Sequence, residues 1–324
     1  MIPGTSTFPW INNYPLMIFC RILTGLGAGT VFLGVVKLIN DLFPAKFAVT
    51  LGTVMLFSYC GTICGTTPMV MLVNAVRWQW AMTIPGAVAA AGVAVICLLM
   101  RGTIKTAVSG SSVKPLLKML KNAEMWKISL AVPVVFALYY IISTQLGQKS
   151  LLDHFRLNPE TASAVIMTMT IIVTLNNVAG NLLLRLFGGN SKKVIICSLT
   201  LSLAGSVAGY AAFQPEGSAI TAGAAFILLA IPAGFFPLFG AAAKAVTPPE
   251  DTGLAVALLN FWCFVFIAAF QNIAGRIMLH YAVPGSLHYP PAAYQGVFIF
   301  MITATVYGLI TAFGIKPNVP ENHS

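Results

Sequence analysis

Apolar residues in this chain gather in long runs, and charge, Pro and Gly collect in the short stretches between them. A helix needs about 20 mainly apolar residues to cross roughly 30 Å of hydrocarbon. Runs of that length lie near 15–38, 47–74, 79–100, 126–147, 162–184, 194–213, 219–241, 253–275 and 294–314. None shows the alternating polarity, over about ten residues, of a strand in a membrane barrel. The expected fold class is therefore all-α, a polytopic membrane protein of about nine transmembrane helices.

Composition supports that reading, because 58% of the 324 residues are hydrophobic and only 8% are charged, against roughly a quarter charged in a soluble domain. A net charge of +10 would suggest nucleic acid in a soluble protein. Here the basic residues sit in the short connections, so no nucleic-acid partner is expected. With alternating loops, Lys37, Lys46, Arg101, Lys105, Lys114, Lys118, Lys121, Lys127, Arg185, Lys192, Lys193, Lys244 and Lys316 fall on one side, and Arg77, Lys149, Arg156 and Arg276 on the other. The Lys/Arg bias makes the first side cytoplasmic. The C-terminus is then expected inside and the N-terminus outside, in the cell (inner or plasma) membrane.

The longest charged connection contains Ser109-Gly110-Ser111-Ser112 and Pro115 and reads as a flexible linker. The organisation expected is a partial N-terminal bundle of three helices over 1–100, a basic cytoplasmic linker over 101–125, a six-helix bundle over 126–315 and a cytoplasmic tail over 316–324. Transporters are often built from equal internal repeats, so three helices before the linker and six after it suggest an incomplete first half.

Intramembrane polar residues are costly, and each is a candidate for function or for helix–helix hydrogen bonding. In 162–184, Ser163, Thr170, Thr174, Asn177 and Asn181 share one helical face. In 253–275, Asn260 and Gln271 lie eleven residues apart on a face with Phe264 and Ile267, and Trp262 needs a partner for its indole N–H. Tyr139, Tyr140, Thr144 and Gln145 lie in the outer half of 126–147, either lining a cavity or anchoring the interface. Arg21 heads a small-residue face with Gly25 and Gly29; it either turns inward toward an anion or snorkels to the interface. Pro232, Gly234 and Pro237 permit a kink, as a hinge or as a static bend.

Asp and Glu are missing from the centres of the apolar runs, and His154, His280, His288 and His323 fall in loops or tail. Cys20, Cys60, Cys64, Cys97, Cys197 and Cys263 all fall inside the runs and read as packing residues. The sequence therefore suggests no metal site, no cofactor and no catalytic group, and the protein is not expected to be an enzyme.

Several motifs carry a family resemblance. Arg21-Ile-Leu-Thr-Gly25-Leu-Gly27-Ala-Gly29 resembles the R-x-x-x-G-x-G pattern of the fourth helix of the major facilitator superfamily. Gly52, Gly61, Gly65 and Pro68 resemble its glycine-rich fifth helix, although Thr66 and Thr67 intervene before the proline. Arg77-Trp78-Gln79-Trp80 and Ile84-Pro85-Gly86 resemble the start of its sixth helix. Gly180-Asn181-Leu182-Leu183-Leu184-Arg185, followed by Gly188-Gly189 and Lys192-Lys193, is similar to the second copy of its G-x-x-x-D-R-x-G-R-R loop, with Leu184 in place of Asp.

The resemblance runs along almost the whole chain and aligns the nine runs with the family's helices four to twelve. It implies a chain lacking the first three helices and unable alone to complete alternating access. It also implies a secondary, gradient-driven carrier of a small solute, with an ion as a candidate co-substrate and the bilayer as its surroundings. Gly61, Gly65, Pro68, Gly180, Arg185 and Gly188 would then serve gating, and Arg21 would lie close to the translocation path. A membrane solute sensor or regulatory protein, and a non-functional truncated remnant, are the alternatives. Substrate identity, coupling ion and oligomeric state are not legible in the sequence.

Overall fold

A computed structural model describes residues 2–42, 47–99, 114–179, 187–188, 190–248 and 251–316. Regular structure among them is helical throughout. The chain divides into two compact units, Met1–Ser111 and Ser112–Ser324.

The first unit contains α1 (Ile2–Thr7), a 3-10 turn (Phe8–Trp10), α2 (Tyr14–Leu42), α3 (Phe47–Cys64), α4 (Thr67–Ala75) and α5 (Trp78–Leu99). Small residues let α1 pack against both α2 and α5. A Cβ at Gly4 would meet the Cys20 carbonyl and lie 2.6 Å from Thr24 Oγ1, and one at Gly86 would meet Ser6 Oγ. Trp10 completes the α5 contact by donating from Nε1 to Thr83 Oγ1 at 3.1 Å and meeting Trp80 edge-on. The apolar run 47–74 is two helices rather than one. Gly65 and Thr66 separate α3 from α4, and Pro68, which has no N–H to give, occupies the first turn of α4, where none is needed.

The second unit contains α6 (Lys114–Leu120), α7 (Ala123–Tyr140) continuing through a π turn (Ile141–Leu146) into α8 (Gly147–Asp153), α9 (Pro159–Val178), α10 (Ser191–Ala212), α11 (Ala219–Ala233), α12 (Phe236–Lys244), α13 (Thr252–His280) and α14 (Pro291–Phe313). Polar side chains set several starts: Asn122, Asn158, Asn190 and Ser218 each accept from a backbone N–H in the first turn of α7, α9, α10 and α11. Helix α7 is the axis of this unit, packing on α10, α11, α12, α13 and α14. Ala131, Val132, Val134, Val135, Ala137 and Leu138 on it are fully buried. Glycines bring neighbours close: a Cβ at Gly205 would lie 3.0 Å from the Ala225 carbonyl, and one at Gly308 would lie 2.8 Å from Leu199 Cδ2.

Among the described residues six helical stretches are long and apolar enough to cross a membrane: Trp78–Leu98, Ala123–Asp153, Ser191–Ala212, Ala219–Lys244, Gly253–His280 and Pro291–Phe313. Where described, the expected apolar runs are mainly helical, with turns at Gly65–Thr66 and Gly234–Phe235. Helix α9 is not among the six, and its Thr and Asn positions dilute its hydropathy. Large apolar side chains face outward on the long helices, including Val88, Ile96, Leu98, Phe261 and Phe264. Such surfaces suit hydrocarbon rather than water.

Besides the break in 47–74, three boundaries differ from the sequence expectation. Residues 219–241 form two helices, because Pro232 lacks an N–H and the chain turns at Gly234. The run 126–147 continues to Asp153 through the π turn. Helix α13 continues past 275 to His280, since Met278 buries one more apolar residue. Arg276 therefore lies within a helix and not in a loop.

Candidate functional site

The π turn and α13 meet in a polar cluster. In the widened turn the Tyr140 carbonyl accepts from Thr144 Oγ1 at 2.8 Å and from Gln271 Nε2 at 3.3 Å. Gln271 Nε2 also donates to Thr144 Oγ1 at 2.8 Å, and Gln145 Nε2 donates to the Gln271 carbonyl at 3.2 Å. Side-chain groups thus hold backbone that an unbroken α-helix would engage differently, which gives the π turn its physical basis.

One turn further along α13, Arg276 Nε donates to Asn272 Oδ1 at 3.1 Å. Thr144, Gln145, Gln271, Asn272, Gly275 and Arg276 line most of an open groove of about 680 Å³. Gly275 keeps it roomy, since a Cβ there would already lie 3.5 Å from Gln145 Nε2. Arg276 is the only ionised group in the lining.

The structure brings together Tyr140, Thr144 and Gln271 from the expected site. Tyr139 is adjacent and buried, its ring edge-on to Tyr140 at 5.4 Å. Asn260 is half-buried and does not line the groove. The face expected to join it to Gln271 divides, with Ile267 buried and Phe264 exposed. Trp262 packs on Trp126 at 5.1 Å, toward the α7 N-terminus.

On α9, Thr170 and Thr174 are buried and donate to the carbonyls of Ile166 and Thr170 at 3.1 and 2.8 Å. Asn177 donates to the Val173 carbonyl at 2.9 Å. Their donors are thus spent on their own helix. Asn181 lies outside the described residues, as do Gly180 and Arg185.

Arg21, on α2 in the other unit, is exposed and holds its guanidinium 3.8 Å above the Phe8 ring. Gly61 has open space around it, Gly65 marks the α3–α4 break, and Pro68 begins α4. Gly188 adopts φ +60°, a left-handed conformation that glycine takes at no steric cost. Pro232, Gly234 and Pro237 surround the α11–α12 break. A Cβ at Gly234 would meet Asn176 Cβ and lie 2.8 Å from the Val173 carbonyl.

Sequence reasoning missed Arg276 and Asn272, whose i, i+4 spacing was the available signal once the helix is extended to His280. It also missed Asn176, which donates to the Ile231 carbonyl at 3.0 Å, and Asp153, which fastens a loop to α8. Among the described residues no group of His, Cys, Asp and Glu is arranged to hold a metal ion.

The sequence model described as Major Facilitator Superfamily matches residues 1–265. No curated protein matches the sequence. With apolar helices of membrane-spanning length and a family match over most of its length, this chain belongs to the major facilitator superfamily, a family of transporters, and is a multi-pass membrane protein.

Proposed function

We propose that the protein is a secondary carrier, moving a small solute across a membrane by alternating access under an ion or solute gradient. The observation that carries this reading is the groove of the second unit. Thr144, Gln145, Gln271 and Arg276 converge there on an irregular turn of the most buried helix. A π turn inside an α-helix is rare and is found frequently at functional sites. The breaks at Gly65 and Gly234 supply candidate hinges, because neither carries a continuous helical backbone.

The proposed orientation puts the N-terminus outside and the C-terminus in the cytoplasm of the cell membrane, on the Lys/Arg bias of the loops. A cysteine at Ser111 should then resist an impermeant thiol reagent applied from outside, in a background without native cysteines. Labelling from outside reverses the topology.

Function is tested by reconstituting the purified chain in liposomes and following uptake of sugars, organic acids and peptides under imposed pH and sodium gradients. Saturable, gradient-dependent uptake of one class would establish the carrier reading and refute the expectation that this chain cannot complete alternating access alone. Solute binding without flux would instead make the protein a membrane solute sensor.

A further inference from the structure

The geometry points to a small hydroxylated carboxylate as the occupant of the groove, with Arg276 as the residue that holds its anionic end. This rests on reading the groove as the solute site, and it names the chemistry of that solute.

Charge comes first. The lining contains Thr144, Gln145, Gln271, Asn272 and Arg276 as its polar members, and no carboxylate. Among the described residues no acidic side chain forms an ion pair with Arg276, whose one hydrogen bond ties Nε to Asn272 Oδ1. That bond holds the guanidinium plane by one corner and leaves the paired Nη groups to a ligand. A planar fork of N–H donors matches a carboxylate in a two-bond geometry that an ammonium does not reproduce. Arg276 and Asn272 are both exposed, so the groove is open and its cation is accessible to a solute.

The amides specify the rest of the ligand. Gln145 and Gln271 both spend Nε2 on protein acceptors, the Gln271 carbonyl in one case and Tyr140 O with Thr144 Oγ1 in the other. Among the described residues no donor reaches either Oε1, so each of these lining residues keeps an acceptor for a ligand. Amide oxygens there call for hydroxyl donors on the solute. A site with one fixed cation and two acceptors therefore selects an anion bearing hydroxyl groups over a neutral polyol and over an unsubstituted acid. The volume of about 680 Å³ accommodates a small organic acid.

The test uses the full chain, purified in nanodiscs of purely zwitterionic lipid, with binding of malate, succinate and malamide read by isothermal titration calorimetry. Malamide keeps the hydroxyl and lacks the charge; succinate keeps the charge and lacks the hydroxyl. Malate is expected to bind most tightly, succinate more weakly, and malamide not measurably. Arg276→Gln should weaken malate binding at least about tenfold, and Arg276→Lys by less, because the charge remains while the fork is lost. Gly275→Leu keeps the arginine and fills the groove, so it should abolish malate binding even if Arg276→Gln proves unstable.

Equal binding of malate and malamide overturns the proposal, as does an Arg276→Gln protein that binds malate like wild type. Succinate binding as tight as malate removes the role of the glutamine oxygens. Stabilisation by anionic lipid with no response to malate makes Arg276 a headgroup contact and also overturns it. Failure of transport is distinguishable. Arg276-dependent malate binding without flux leaves the anion site standing and removes the carrier reading. Gradient-driven flux of a neutral sugar without malate binding does the reverse.

Discussion

Replacing Asp153 by alanine should loosen one end of the second unit, and the structure sets the size of the effect. The carboxylate ends α8, with its side chain only 3% exposed. Its Oδ2 accepts from the Tyr294 hydroxyl at 2.9 Å and from the Tyr289 N–H at 3.2 Å. Oδ1 faces His288 Nδ1 at 2.8 Å, and since an ionised carboxylate only accepts, Nδ1 carries the proton. Lys149 Nζ, one turn back on α8, lies 3.1 Å from Oδ2 and also donates to the Leu287 carbonyl.

These partners differ greatly in weight. His288 and Lys149 are 72% and 39% exposed, so each contributes only about 0–1 kcal/mol. Tyr294 is 2% exposed, and without Asp153 its hydroxyl has no acceptor. Leaving a buried neutral hydroxyl without its partner costs about 1–3 kcal/mol. At about 2–4 °C per kcal/mol for a unit of this size, Tm should fall by about 2–12 °C.

The assay is thermal unfolding in nanodiscs together with limited proteolysis of the 281–290 connection. Asp153→Asn, which keeps an oxygen for Tyr294, should lose less than half as much. An Asp153→Ala protein melting within about 2 °C of wild type, its loop equally resistant to protease, would refute this weighting.

Gly234→Leu should lower folded yield and cost at least about 1–3 kcal/mol by overpacking, because its side chain has to displace Asn176 or the Val173 carbonyl; wild-type thermal stability would contradict the close approach. His154 packs against Phe155 and Phe213, and burial pushes its pKa below the ordinary 6.5. Its contribution to stability is complete above the unfolded value and declines as pH falls through it, so wild type should lose more Tm between neutral and mildly acid pH than His154→Phe does. For Arg21, Lys should partly preserve uptake and Gln should not; full uptake by Arg21→Gln at normal expression would reduce its role to the contact with Phe8.

The helical runs were legible because the demand for apolar length is strict and does not depend on tertiary contacts. Interruptions within them were less so. Pro232 and Gly234 are compatible with a kink or a full break, and the outcome depends on Asn176, a residue on another helix that takes up the Ile231 carbonyl. The π turn was not visible at all, since it is fastened by Gln271 from well over a hundred positions away. Arg276 was misread as a loop charge because its helix was ended one turn early. Tyr140, Thr144 and Gln271 stand out in the sequence as polar residues in apolar runs, yet only the fold reveals that they meet.

The polar side chains of the bundle divide by where their hydrogen bonds go. Ser198 and Ser206 on α10, Thr170, Thr174 and Asn177 on α9, and Thr305 on α14 each donate to a carbonyl four residues back. The hydroxyls among them have their protons engaged before any neighbour arrives, so they can sit in a packed interface at little cost. Gln145, Gln271 and Asn176 instead reach across to another element and bind its backbone. A bond of that kind must break or be exchanged whenever the two elements shift, at a cost of about 0.6 kcal/mol and rarely above about 1.7 in a membrane interior. Costs that small can be supplied by one bound solute, whereas the cluster around Asp153, at about 1–3 kcal/mol for its buried hydroxyl alone, resists the same motion more strongly. On the proposed carrier reading, the crossing amides at the π turn and at the α11–α12 break would be places where binding energy is converted into movement. The α9 stripe, whose regular spacing made it conspicuous in the sequence, spends Thr170, Thr174 and Asn177 chiefly on its own carbonyls, with Thr170 also meeting Tyr139 of α7.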